Sequence, residues 1–275
     1  LINYNINEIK EIMMDDLQLQ QKLSATALNA ALEAGKILKQ KVNTALKIDY
    51  KGRVNLITEA DRMSENSIIE SIRRQFPEHQ ILAEESPLIE TSSDYKWIID
   101  PLDGTTNFVH GFAFFSVSIG LEYQKELLLG VVHAPLLGET FTAMKNQGAF
   151  LNGQPIRVSQ VRKLADSLLA TGFPYENNAT FQRNFEHFRR IYPLTQGVRR
   201  VGSAAIDLCY TACGRFDGFW ELDLNAWDVA AGALILQEAG GKTVNMDGSA
   251  FSIYARQILA TNGLIEAELL PIFKE

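Results

Sequence analysis

Trp97-Ile98-Ile99-Asp100-Pro101-Leu102-Asp103-Gly104-Thr105-Thr106-Asn107-Phe108 is the stretch on which the reading of this 275-residue sequence turns. Its apolar start predicts a strand that delivers Asp100 at its carboxyl end. Pro101 fixes the backbone and cannot continue a central strand, so the strand is expected to stop there. Asp103 follows three residues on, close enough for both carboxylates to face one ion. Gly104 permits a close backbone approach, and Thr105 and Thr106 bring N–H groups and hydroxyls. If a helical turn begins here, those N–H groups form an anion cradle. The same residues also read as an Asp-Gly turn with Asp103 as a helix cap. Carboxylates beside an anion cradle make chemical sense when cations lie between them.

Other acids occupy comparable places. Glu84-Glu85 follows the apolar run Ile81-Leu82-Ala83. Asp61 sits at a predicted helix start, and Asp228 opens the otherwise apolar Trp227-Asp228-Val229-Ala230-Ala231-Gly232. Taken singly, an Asp in a first helical turn is a capping or dipole choice. Taken together, strand ends and helix starts gather on one edge of an open α/β sheet, where ligands bind. Carboxylates converging there repel unless cations sit among them. With no His or Cys in the set, oxygen-only ligation favours Mg²⁺ or Mn²⁺ over Zn²⁺. The chemistry this implies is metal-assisted phosphoester hydrolysis. Competing motifs fail. Gly241-Lys242-Thr243 resembles the end of a P-loop, but Leu236 stands where its leading Gly belongs. His79, His110, His133 and His187 form no ligand spacing and are read as structural.

Working outward, helical periodicity predicts helices over 24–41 and from about 58 or 61 to 76, the second ended by Pro77. Residues 1–20 read as a polar lead-in. Short apolar runs predict strands at 80–83, 97–100, 114–122, 127–133 and 139–143, with Asn152-Gly153 as a tight turn. After about residue 162 strands and helices alternate: strands near 167–171, 198–201 and 216–221, helices near 179–191, 203–212 and 227–239. Gly240-Gly241 is a helix stop. Strands at 242–245 and 257–260 and a helix at 264–273 complete the chain. An α/β layered fold follows, with a meander-rich lobe over 1–160 and an alternating lobe over 161–275.

Composition narrows the function. Hydrophobic residues are 46% and charged residues 21%, an ordinary globular balance. The charge sum is 26 − 33 = −7, with no Lys/Arg run of five, which argues against a nucleic-acid binder held by phosphate contacts. Cys209 and Cys213 are the only two cysteines and read as small core residues. No disulfide framework is expected, and a reducing, cytoplasmic setting fits. No stretch reaches the ~18 apolar residues of a membrane span. The acidic start, with Glu8, Glu11, Asp15 and Asp16, lacks the layout of a secretory leader. The sequence opens on Leu1 rather than Met, as a clipped or misread start does.

With these residues on the page, the chain resembles the inositol monophosphatase family, lithium-sensitive Mg²⁺-dependent sugar phosphatases, from about residue 24 to 270. The resemblance rests on 100–108, on Trp227 to Gly232 with Glu238-Ala239-Gly240-Gly241, and on Glu84-Glu85-Ser86. It implies an α-β-α-β-α sandwich of the inositol monophosphatase and fructose-1,6-bisphosphatase type, and a homodimer. It implies that Glu84, Asp100 and the Leu102 carbonyl hold one Mg²⁺, that Asp100, Asp103 and Asp228 hold a second, and that a third, weaker ion uses Glu84. Mn²⁺ is expected to substitute. Thr105 and Asp61, helped by Glu84, would activate the attacking water, with no phosphoenzyme. Gly104, Thr105 and Thr106 would meet the phosphate, beside Asp103 and Asp228, and Ser203, Ala204 and Glu221 would face the alcohol. Lys51 would fall near the site. The implied substrate is myo-inositol monophosphate. The alternatives are another small ester (fructose 1,6-bisphosphate, histidinol phosphate, a sugar-1-phosphate, a 3′-phosphoadenosine nucleotide) or a non-catalytic regulatory role in RNA machinery. Two departures stand out: Ala83 and Asp223 occupy positions where relatives commonly carry Gly.

Overall fold

The computed structural model describes residues 6–44, 48–51 and 55–274, with side chains described for 17–44 and 56–274. Lys51 lies in a strand, but its side chain is outside the described set. The chain opens on α1 (Ile6–Lys41), which corrects the expected polar lead-in: helix already covers residues 6–20. Glu8, Lys10, Glu11, Met13, Met14, Leu17, Gln18, Leu19 and Gln20 in that stretch are all good helix formers. A small hairpin, β1 (Ile48–Lys51) and β2 (Asn55–Thr58), precedes α2 (Glu59–Gln75).

Seven strands then form the first sheet, in spatial order equal to chain order. They are β3 (Gln80–Ala83), β4 (Tyr95–Asp103), β5 (Ser116–Tyr123), β6 (Glu126–Ala134), β7 (Glu139–Met144), β8 (Ala149–Leu151) and β9 (Gln154–Pro155). The short helix α3 (Thr105–Val109) interrupts the meander after β4. β3 runs parallel to β4, and every later neighbour is antiparallel.

The second half builds β10 (Leu168–Thr171), α4 (Ala179–Ile191), β11 (Gly197–Arg199), α5 (Ala204–Ala212), β12 (Gly218–Leu222), α6 (Ala226–Glu238), β13 (Lys242–Val244), β14 (Gln257–Thr261) and α7 (Glu266–Lys274). Its five strands pair in the order β11-β10-β12-β14-β13.

The layering follows from alternation along the strands. In β4, Trp97 and Ile99 face the cluster made with α1 and α2, whereas Ile98 faces α5 and α6. In β14, Ile258 and Ala260 face α5 and α6 from the other side, and Leu259 faces the outer helices α4 and α7. The result is α-β-α-β-α, with α5 and α6 sealed between two sheets. Their close approach depends on small residues. Gly120 and Gly130 are cross-strand partners on β5 and β6. A Cβ on Gly120 would stand 2.9 Å from Ala230 Cβ, and one on Gly130 only 2.6 Å from the Ala231 carbonyl oxygen. Backbone therefore lies against backbone where α6 crosses the sheet.

One expectation about β4 is corrected. The strand does not stop at Pro101 but runs to Asp103, with a register shift against β5 between Asp100 and Asp103. β3 pairs only with residues 96–99 of β4, so the missing Pro101 N–H leaves no β3 partner unmet.

Two outcomes follow from this packing. Gly130→Ala is expected to destabilise the fold by about 1–3 kcal/mol, because backbone rather than a flexible side chain must give way; urea unfolding measures it, and an unchanged midpoint would show that the seam yields. His187 is buried on α4, edge-on to Phe273 at 4.9 Å, with its Nδ1 unpartnered among the described residues. Burial, then Arg183 and Arg190, push its pKa down to about 4. The unfolded chain takes up this proton near pH 6.5, so the contribution is present above that pH and lost as pH falls toward about 4. His187→Leu should remove about 1–2 kcal/mol of the stability lost between pH 7 and 5, read from urea midpoints at the two pH values.

Candidate active site

The register shift at the end of β4 turns two carboxylates to the same side. Asp100 is buried, and its Oδ1 accepts the Leu102 N–H at 2.9 Å, closing the turn over Pro101. Asp103 reaches across to the second half of the chain. Its Oδ2 accepts the Ser203 hydroxyl at 2.5 Å and the Ala205 N–H at 2.8 Å, so it caps α5 rather than α3. Gly104 then adopts φ +90, and a Cβ there would meet the Phe114 carbonyl oxygen at 2.9 Å. Only glycine suits that left-handed, crowded position. Asn107 fastens the loop, its Nδ2 donating to the Phe114 carbonyl at 2.6 Å and the Val201 carbonyl at 2.9 Å.

Asp61 and Asp228 share a construction. Each is the third residue of its helix and closes a capping box: Asp61 Oδ2 accepts Thr58 N–H at 2.8 Å, and Asp228 Oδ2 accepts Asn225 N–H at 2.6 Å. The capping and functional readings of these acids therefore do not compete, because each carboxylate has a second oxygen. That of Asp61, Oδ1, lies 3.1 Å from the Thr105 hydroxyl, which also lies 3.1 Å from the Leu102 carbonyl.

These segments enclose a cavity of about 320 Å³. Glu84, Asp100, Leu102, Asp103, Gly104 and Thr105 line one side of it. Ser203, Ala204, Glu221 and Asp228 line the other. Two expected residues stand back from it. Asp61 is buried behind Thr105, and Thr106 is hydrogen-bonded to Tyr175, which does line the cavity.

The electrostatics are those of crowded like charges. Burial first, then Glu84, Asp103 and Asp228, hold Asp100 well above the usual carboxylate range. Asp228 is raised in the same way, chiefly by burial and against the Asn225 bond. Asp103 rises to about 6 by burial, with its Ser203 and Ala205 bonds opposing, and burial pushes Glu221 up to about 8. Of the cavity's arginines, Arg200 lies toward Tyr175 and Glu221 and partly offsets the rise of Glu221, while Arg256 is engaged with Asp223 and Asn225. Among the described residues no three His, Cys, Asp or Glu side chains close into a cage around one point. Mg²⁺ does not require one, since it keeps waters and draws on one or two carboxylates plus substrate oxygens. Oxygen-only donors that repel one another fit such an ion.

Several lining residues escaped the sequence reading: Tyr175, Asn178, Arg200 and Arg256. Tyr175 and Asn178 come from the loop before α4, and Arg200 and Arg256 from two other loops. Gly172 had a usable signal, a glycine directly after a strand. A Cβ there would fall 2.1 Å from the Glu221 carboxylate, so the glycine makes room for that acid.

Comparison with known proteins agrees with the fold. The description of the inositol monophosphatase family matches residues 19–275. An inositol-1-monophosphatase of Synechocystis is 48% identical over 245 residues, covering 88% of this chain and 85% of that protein. A protein of Pseudomonas aeruginosa named Nus factor SuhB is 41% identical over 249 residues, covering 88% of this chain and 92% of that one. The solved structure of extragenic suppressor protein suhB from Bartonella henselae superposes with a TM-score of 0.88 at 38% identity, covering 91% of this chain and 98% of that one. The chain belongs to the inositol monophosphatase family.

Proposed function

We propose that the protein is a phosphoric monoester hydrolase that releases phosphate from myo-inositol monophosphate. The observation that carries this is the convergence of Glu84, Asp100, Asp103 and Asp228, all oxygen donors, on a cavity whose further lining includes Tyr175, Asn178, Ser203 and Asn225. In this reading Glu84, Asp100, the Leu102 carbonyl, Asp103 and Asp228 hold two to three Mg²⁺ ions, with Mn²⁺ as a substitute. When bound, the ions neutralise the phosphoryl oxygens and lower the pKa of water near them.

The chain's own groups do the rest. Gly104 and Thr105 meet the phosphate with backbone N–H groups. Thr105 donates its hydroxyl hydrogen to Asp61 Oδ1, which leaves its oxygen lone pairs to accept from the attacking water. Asp61, raised by burial and fixed by Thr58, is the terminus of that chain, and Glu84 assists from the opposite side. Glu221, raised by burial with Arg200 opposing, meets the sugar hydroxyls together with Ser203 and Ala204. Thr106 acts through Tyr175 rather than on the phosphate. In this reading residues 1–160 supply most ion ligands, and 161–275 supply the alcohol wall and Asp228.

Homodimerisation belongs to this reading and is supported by a row of exposed apolar side chains on and just after α4, Phe185, Tyr192 and Leu194. Cytoplasmic residence is supported by two free thiols, Cys209 and Cys213, on and at the end of α5. Among the described residues no helix is long and apolar enough to cross a membrane. A second reading, regulation of RNA machinery, is favoured by one observation, the Nus factor name of the Pseudomonas relative. The complete carboxylate set ranks it behind catalysis.

The test is phosphate release from a panel of esters with Mg²⁺, without it, and with Li⁺ added. Mg²⁺-dependent, Li⁺-inhibited turnover of inositol-1-phosphate above fructose 1,6-bisphosphate, histidinol phosphate, galactose-1-phosphate and 3′-phosphoadenosine 5′-phosphate is expected. Preference for another ester would reassign the substrate, and no release from any would favour the regulatory reading. Asp100→Asn should lower the rate by about 10³-fold or more, since the largest metal-dependent gains go with such a ligand. Mass spectrometry of enzyme quenched during turnover should find Thr105 unphosphorylated; a trapped phosphothreonine would refute the direct attack of water.

A further inference from the structure

The inward face of α2 is not what an amphipathic helix calls for. Ala60, Ile68 and Ile72 are buried there, as expected, but so are Asp61, Ser64 and Glu65, at 1%, 0% and 2% exposure. Spacings of three and four residues put these polar groups on one stripe. Burying a carboxylate is costly, and an apolar residue would usually stabilise such a position better. The stripe therefore calls for a reason outside α2.

Its hydrogen bonds supply one, because each residue grips a different segment of the cavity wall. Asp61 Oδ1 takes the Thr105 hydroxyl at 3.1 Å. Ser64 Oγ donates to the Pro101 carbonyl at 2.7 Å, in the turn between Asp100 and Leu102. Glu65 Oε2 accepts the Glu85 N–H at 2.8 Å, and its Oε1 accepts the Ser86 hydroxyl. Residues 84–88 belong to no helix or strand; the Glu84 N–H still donates to the Ile99 carbonyl of β4 at 3.2 Å, and the ladder ends there. Glu65, rigid in the middle of a 17-residue helix, takes over from the next residue on, holding Glu85 and Ser86 just past Glu84.

We propose that Ser64 and Glu65 are positioning residues for the ion ligands: Glu65 fixes the turn that presents Glu84, and Ser64 fixes the turn that joins Asp100 to Leu102. Neither touches substrate or ion. One turn of α2 thus aligns Thr105, Asp100 and Glu84 with one another, which three independent loops would not do. The inference rests on the ion-binding reading of the cavity given above.

The test uses the full chain stripped of metal, with Mn²⁺ as the probe. Calorimetry gives Mn²⁺ affinity, hydrogen exchange gives the protection of residues 84–86, and the Mg²⁺ dependence of phosphate release gives the functional counterpart. Glu65→Ala should weaken Mn²⁺ binding about 10–100-fold, the usual cost of losing a group that orients a ligand. It should also raise the half-saturating Mg²⁺ concentration in parallel, speed exchange at residues 84–86, and recover most of its kcat at saturating Mg²⁺. Glu65→Gln keeps one carbonyl acceptor for the Glu85 N–H and should regain most of the affinity. Ser86→Ala removes the same anchor from the loop side and should fall between them; it also carries the test if Glu65→Ala does not fold. Wild-type Mn²⁺ affinity and exchange in Glu65→Ala, or in Ser86→Ala should Glu65→Ala not fold, would overturn the inference. A different result bears on the functional reading instead: native protein that binds no Mn²⁺, or Asp100→Asn that binds it as tightly as the native protein, overturns the ion site and the clamp with it.

Discussion

Like charges held close together out of water set the terms for this molecule. Asp100, Asp103 and Asp228, with Glu84 beside them, face one cavity, and each is raised above its ordinary pKa by burial and by its neighbours. Left alone, such a set would push its segments apart or take up protons. The chain answers the repulsion with anchoring. Asp103 is fixed to the start of α5, Asp228 to the residue before α6, and Asp100 to its own turn. The layered architecture makes this possible, since the first sheet and the two middle helices all end at the same cavity.

The middle layer transmits that constraint. α6 lies directly on the backbone of β5 and β6 where Gly120 faces Gly130, and Gly232 brings α5 within reach: a Cβ there would stand 2.7 Å from Leu208. Small residues at these crossings fix the distance between the helix that carries Asp228 and the sheet that carries Asp100. On the far side, the polar stripe of α2 holds Thr105 and the turn just past Glu84. The cavity is thus defined by three helices and a sheet end rather than by loops alone.

Much of this is legible in the sequence where the cause is local. The helix expected near 179–191 is α4, because helix preference is a local signal. Acids at strand ends and helix starts announced a site for the same reason. Expectations failed where a partner decides. Pro101 lies within β4 because only β5 accompanies the strand at that point. The hairpin of β1 and β2 carries Asp49, Lys51 and Asn55, poor strand formers, and takes its strand form from pairing. Tyr175, Arg200 and Arg256 reach the cavity from loops that only the crossing of the second sheet brings together.

The capping boxes of Asp61 and Asp228 give each acid two loyalties, one oxygen for a backbone N–H and one left over. An asparagine at either position is therefore not a neutral copy. The N–H of Thr58 or Asn225 still demands an acceptor, so the amide must keep its carbonyl on the helix and turn its NH₂ the other way. At residue 61 that NH₂ meets the Thr105 hydroxyl, reversing the direction of the hydrogen bond and leaving the threonine to donate to the Leu102 carbonyl. At residue 228 it offers two hydrogens where an acceptor stood. The helix start thus decides the polarity that a mutated site shows, and drift from acid to amide reverses the site rather than merely weakening it.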